Sequence, residues 1–501
     1  MQKLLLMLAF AGAITAQNRI PRAWDDAAIA SVTLPLAVAD ATPVQIPSKY
    51  YYGIPVRLIY KSYPVYHPTK EPPGYIDHLK QLEPILAFDV STLKTHDDWT
   101  KAGEIVFDSA LSYGSIAGPR SNLYLRDPAW HQYVGTPVAK DGTIPFYRYV
   151  ITKKGTIEIG VFSCAMCHTR VMPDGSILKG AQGNFPFNRA LARDTATQSF
   201  PLSVARPFLA PRIERTFYGA PWLGPDSYPA NLSWQEIVAR HAAIPPGVIA
   251  RHGTTPLVPA KVPDLIGIRE RRYFDATGLN RHRDIGDLMR YATMNQDTDL
   301  FARYRNFVPS EAVPILFGKA PADPSKLASG RFSDEQLYAL ALYLYSLNPP
   351  PNPNQSDPFA ARGKMIFERE GCGGCHTPPA YTNNMLTLAA GFTPPADHFS
   401  KYEILKMSVG TNPNLAMKTR RGTGYYKVPS LRGLWYRGPL EHSGSVATLE
   451  DWFDPARLKD NYVPTGFKGY GVTSRAVKGH EFGLNLSRDD KKALIAFLRT
   501  L

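Results

Sequence analysis

Two pentapeptides, Cys164-Ala165-Met166-Cys167-His168 and Cys372-Gly373-Gly374-Cys375-His376, hold every cysteine in a chain of 501 residues. Two thiols separated by two residues on a turning backbone can each add to one vinyl group of a porphyrin. The histidine that follows then falls under the iron as an axial ligand. The pattern therefore reads as two covalently bound haem c groups, held by Cys164 and Cys167 and by Cys372 and Cys375, with His168 and His376 as iron ligands. Two other chemistries use such cysteine pairs: dithiol redox exchange, and one zinc held between the pairs. Neither requires a histidine after the second cysteine, and the chain has only 12 histidines to place. Zinc ribbons also keep their pairs close in sequence, whereas about two hundred residues separate these two.

The elements that must position these motifs repeat. Before the first motif, Ala102-Gly103-Glu104-Ile105-Val106-Phe107 belongs to an amphipathic helix entered through Thr95, Asp97 and Asp98. Before the second, Arg362-Gly363-Lys364-Met365-Ile366-Phe367 has the same glycine, apolar pair and phenylalanine. After each motif comes a capped helix with apolar residues on one face: Ser333 leads into Leu337, Leu340, Ala341 and Leu344, and Ser487 leads into Ala493, Leu494, Phe497 and Leu498. The proline-rich run 349–357 can neither form helix nor pair, so it divides the chain as a semi-rigid linker. The boundaries expected are a signal peptide at 1–16, an N-terminal arm at 17–94, a first module at 95–348, the linker at 349–357 and a second module at 358–501. Between Phe107 and Cys164 the first module carries an insertion. In it Phe146–Ile151, a Lys153-Lys154-Gly155 turn and Thr156–Val161 read as a β-hairpin running into the first cysteine.

A third repeat lies beyond each motif. Val428-Pro429-Ser430-Leu431-Arg432-Gly433 through Gly444 matches Val262-Pro263-Asp264-Leu265-Ile266-Gly267 through Gly278 at a constant offset of 166. Valine, proline, leucine, glycine, one arginine and the last glycine coincide. His442 falls opposite Ala276, an imidazole against a methyl group.

The order of helix, Cys-x-x-Cys-His motif, loops and closing helix resembles the cytochrome c fold. The block VPSLRGLWYRGPLEHSGSVATLED (428–451) resembles a signature of the bacterial di-haem cytochrome c peroxidase superfamily, which includes rubber-oxygenase-like members. The resemblance covers roughly residues 95–501. It implies a mainly α fold of two cytochrome c-like domains, the first enlarged by the hairpin-containing insertion and preceded by an irregular arm. It also implies one haem ligated on both faces that relays electrons, and a second with an open or labile face that reacts with peroxide or oxygen. Carried over by position, His168 and His376 are proximal ligands and His442 is the distal ligand of the C-terminal haem. In an oxygenase-like pocket an apolar residue such as Phe274 lies above the other iron, and Asp275 or Glu270 would act as a distal acid–base group. The aromatic FWDGR segment of peroxidases and their distal glutamate have no match. Calcium between the domains occurs in some relatives, and no acidic cluster here supports it.

Other ligands stay open. Met407 and Met417 compete with His442, and thioether ligation would raise the potential of that haem. Met289, Met294 and His282 follow the Ala276 position and would reach the first iron by swinging in. Trp435 is a candidate relay between the haems.

Leu4–Ala16 follows one lysine and carries small residues at Ala13 and Ala16, the pattern of a secretory signal peptide, so a periplasmic or secreted protein is expected. No other stretch approaches the ~20 apolar residues of a membrane span. The net charge of +14 is scattered, without the basic stripe of a nucleic-acid binder. It favours an acidic electron-donor or acceptor protein. Two functions from different classes follow. One is an oxidoreductase acting on peroxide, oxygen or a small organic substrate. The other is a pure electron-transfer cytochrome with two six-coordinate haems.

Overall fold

The computed structural model describes residues 20–31, 48–115, 123–196, 233–250, 257–296, 330–418 and 422–501. The expected signal peptide lies outside them.

Two helix crossings organise the chain. Helix α1 (His96–Asp108) starts at a capping box in which Thr95 and Asp98 satisfy each other's backbone N–H. It crosses α2 (Asp334–Ser346), which starts at an equivalent box between Ser333 and Gln336. In the C-terminal half α3 (Ala360–Arg369) crosses α4 (Arg488–Thr500), which is capped by Ser487. The glycine of each first helix sits at the crossing. A Cβ on Gly103 would lie 2.0 Å from the Ala339 carbonyl oxygen, and one on Gly363 would lie 1.9 Å from that of Ala493. Only glycine lets the backbones come this close. Val106 and Phe107 pack with Leu337, Leu340 and Leu344, while Ile366 and Phe367 pack with Leu494, Phe497 and Leu498.

Sheet is more extensive than one hairpin, so the fold is mixed helix and sheet. Strands β1 (Ser62–Tyr66), β2 (Ser112–Ser115), β3 (Thr143–Lys153) and β4 (Thr156–Val161) form an antiparallel sheet in the order β1-β3-β4-β2. The expected hairpin is β3–β4, with Tyr149 opposite Ile159 and Gly155 turning at φ 79°. It leads into Cys164. The arm carries short regular elements among irregular stretches where it is described. It supplies β1, whose Tyr63 pairs with Tyr149, and it docks on α2 where the Ala23 N–H donates to the Asp334 carboxylate at 3.0 Å. Pro64 before Val65 hid that strand, and its partner is distant in sequence.

The C-terminal half has a three-stranded sheet of its own: β5 (Leu386–Leu388) lies between β6 (Ile404–Ser408) and β7 (Tyr425–Lys427). Two of these strands have only three residues, too few to show alternation. The stretch 349–357 forms neither helix nor strand. It is tied to the end of α4 by Asn352, which donates to the Arg499 carbonyl, and by Gln355, which donates to that of Thr500. Among the described residues no helix is long and apolar enough to cross a membrane.

Candidate haem sites

The first motif is a single helical turn, Cys164–Cys167, directly after β4. Ser163 caps it by accepting the Met166 N–H at 3.1 Å, and the His168 N–H closes the turn on the Cys164 carbonyl at 2.9 Å. The His168 Nδ1–H donates to the Pro263 carbonyl at 3.0 Å, which fixes the tautomer and leaves the Nε2 lone pair for a ligand. Burial pushes this imidazole down to about 4, so it is neutral, and raises both thiols to about 12. A dithiol redox pair needs the opposite shift.

The second motif follows Gly371 (φ 71°), and the His376 N–H closes on the Cys372 carbonyl at 2.9 Å. Its Nδ1–H donates to the Tyr381 carbonyl at 3.2 Å. Burial lowers this imidazole and raises Cys372 and Cys375. Among the described residues no group of three or more His, Cys, Asp or Glu side chains is arranged to hold a metal ion. A zinc bridging the two pairs would require such a group.

The repeat at offset 166 has a geometric counterpart. The Lys261 N–H donates to the His442 carbonyl at 2.8 Å, and the Lys427 N–H donates to the Ala276 carbonyl at 3.0 Å. Lys427 stands to Lys261 as His442 stands to Ala276, so the two loops exchange equivalent bonds about a pseudo-two-fold axis. Arg271 and Arg437 obey the same relation. One donates to the carbonyl of Asp264, the other to that of Ser430 at 2.7 Å. Four cationic side chains thus gather between the two motifs. Burial, with a smaller contribution from the two arginines, holds Lys261 and Lys427 down to about 7. The Asp264 carboxylate lies 3.7 Å from Arg437 and 3.9 Å from Arg271, and it also accepts from the Tyr436 hydroxyl. The Arg437 Nε is buried without a hydrogen-bond partner.

Buried cations in excess of buried carboxylates are costly unless an anion joins them. The propionate carboxylates of two haems would supply that charge. Together with the thiol pairs and the two oriented imidazoles, this fits haem at both motifs. The lysines went unread because the aligned block starts one residue after each of them.

The remaining candidates fall in distinct places. His442 is neutral, pushed down to about 3 by burial, then by Lys261 and Arg475. Its ring lies 4.8 Å from that of Tyr426. His442 follows Glu441, which adopts φ 70°. Phe274 is buried in the apolar cluster that holds Ala165 of the first motif, and its ring stacks on Tyr291 at 4.8 Å. Asp275 departs from the acid–base expectation. Its carboxylate accepts from the N–H groups of Thr277, Leu279 and Asn280 and from the Thr277 hydroxyl, so it organises its own turn. Glu270 is paired with Arg432 across the two halves at 2.6 Å. His282 is engaged at both nitrogens, by the Arg271 carbonyl at 2.8 Å and the Tyr345 hydroxyl at 2.6 Å. Met289 is fully buried core, Met294 packs near Trp24 and Tyr51, and Met407 is 37% exposed. Met417 sits on the short helix Asn414–Lys418. Trp435 packs edge-on against Tyr436, beside Ile266 of the other half.

One residue escaped the sequence altogether. The ring of His480 lies 6.2 Å from that of His376, with 51° between their planes. Burial pushes His480 down to about 4, so it too is neutral.

No protein-family model matches the chain, and no curated protein matches it. Two solved structures that align are the hydrazine synthase of Kuenenia stuttgartiensis, pressurised with xenon, and a MauG-like protein associated with microbial copper homeostasis. The first covers 60% of this chain and 88% of its own at 15% identity. The second covers 59% and 88% at 18% identity, and both superpose with a TM-score of 0.30. A superposition this loose carries no argument; the chain's own residues carry the haem reading.

Proposed function

We propose that this chain is an exported di-haem c-type oxidoreductase, with two cytochrome c-like domains at 95–348 and 358–501. When bound, the two haems supply the redox chemistry, the C-terminal one relaying electrons to an N-terminal one whose open face takes peroxide or oxygen. The protein's part is attachment, orientation and charge. Cys164, Cys167, Cys372 and Cys375 anchor the porphyrins. His168 and His376 offer Nε2 while carbonyls of Pro263 and Tyr381 hold Nδ1. The cationic cluster neutralises propionates between the two sites. The apolar surroundings of Phe274 limit water on the first site, and an acidic redox partner would be drawn by the net charge of +14.

The observation that supports this reading most is the reciprocal pair of bonds, Lys261 to His442 and Lys427 to Ala276. It relates the loop after each motif to the other as an equivalent, which supports one cytochrome c-like unit around each motif. The test is carbon monoxide titration of the reduced holoprotein, followed by peroxide addition. The expected result is one ligand-binding haem per chain and turnover of peroxide or oxygen with a reduced donor. Two haems that ignore ligands in every redox state would leave a pure electron-transfer cytochrome.

A further inference from the structure

His480 is held by an unusual amount of structure for a loop residue. Gly479 before it adopts φ 89°, and a Cβ there would lie 2.6 Å from the Gly410 carbonyl carbon. His480 itself has φ 49°, an uncommon region for a side-chain-bearing residue that histidine enters more readily than most. Its N–H donates to the Val409 carbonyl at 2.5 Å. Arg457, 1% exposed, donates to the carbonyls of Trp452, Val477, Gly479 and His480 at 2.6–2.9 Å. This guanidinium, which also lies over the Trp452 ring at 5.3 Å, ties these four carbonyls to one point. What it fixes is an imidazole flanked by Trp452 and Phe482, each ring 5.3 Å away, and facing His376. The His480 Nδ1 is buried without a hydrogen-bond partner.

Metal–imidazole bonds are about 2 Å long and the ring centre lies about 1 Å further. Two imidazoles on opposite faces of one iron therefore have ring centres about 6 Å apart. His376 and His480 are 6.2 Å apart. We propose that His480 is the second axial ligand of the iron attached at Cys372, Cys375 and His376, closing that haem. The carry-over from the family signature had given this role to His442. His442 lies instead where the two halves exchange hydrogen bonds. This assignment rests on the haem reading of the second motif.

The test uses holoprotein matured with haem, its two attached haems counted by intact mass, and reads coordination by electron paramagnetic resonance and near-infrared magnetic circular dichroism. The wild type should show one low-spin haem with a bis-imidazole signature. His480→Ala at unchanged haem content should lose that signal, regain it with added imidazole, and bind two carbon monoxide molecules per chain where the wild type binds one. His442→Ala should keep the signal. Should His480→Ala accumulate without its second haem, His480→Met decides. Conversion to an imidazole–thioether signature with a raised midpoint potential supports the assignment. An unchanged bis-imidazole spectrum in either His480 variant, its loss in His442→Ala, or an imidazole–thioether signature in the wild type overturns it. A wild type without haem would instead defeat the underlying haem reading.

Discussion

At the level of single residues, His168 and His376 spend their Nδ1 protons on backbone carbonyls, and burial keeps both rings neutral. A second buried group near the first motif offers a pH test. Asp194 accepts from the Trp130 indole N–H at 2.6 Å and is 8% exposed; burial raises it from 3.8 to about 7 despite that bond. The folded protein therefore binds this proton more tightly than the unfolded chain. Its contribution is complete below pH 3.8 and is lost as pH rises to about 7, at most about 4 kcal/mol in all. Asp194→Asn should flatten the pH dependence of denaturant unfolding across that window and be the more stable protein at pH 8. Parallel profiles for the two proteins would contradict this. The attachment residues were fully legible, because chemistry ties them to one short spacing. His480 was not, because a lone histidine about a hundred residues beyond its partner carries no motif; only the folded loop sets it opposite His376.

Among elements, the glycine at each helix crossing is the point where sequence and geometry agree most closely. Gly103 and Gly363 were readable as a glycine repeated before each motif, and each leaves no room for a methyl group. Gly103→Ala or Gly363→Ala should destabilise the protein by more than the ~1–3 kcal/mol of an ordinary overpacking change, since the obstruction is backbone. Thermal unfolding measures this, and an unchanged midpoint for both would show that the helices do not cross as described. Haem attachment should fall selectively at the motif on the altered side. The hairpin was legible from alternation and its Gly155 turn. The strand Ser62–Tyr66 and the short three-stranded sheet were not, since strand pairing over long sequence separations leaves no local mark.

For the molecule as a whole, the pseudo-two-fold brings Lys261, Lys427, Arg271 and Arg437 into one buried region between the motifs. Lys427 also ties the halves together, its Nζ donating to the carbonyls of Tyr273 and Phe274 at 2.8 and 3.0 Å. If this region receives haem propionates, each lysine stabilises the more negative, reduced haem. Lys261→Met and Lys427→Met should then lower the midpoint potential of at least one haem in spectroelectrochemical titration. An unmoved potential in both would separate the cluster from the haems. Everything at this scale depends on two porphyrins being covalently present. The most direct measurement is the intact mass of the chain produced alongside a c-type haem maturation system. The account predicts the polypeptide plus two haems, falling to one haem in Cys164→Ala/Cys167→Ala and in Cys372→Ala/Cys375→Ala. A mass equal to bare polypeptide, or one unaltered by either double substitution, would contradict it.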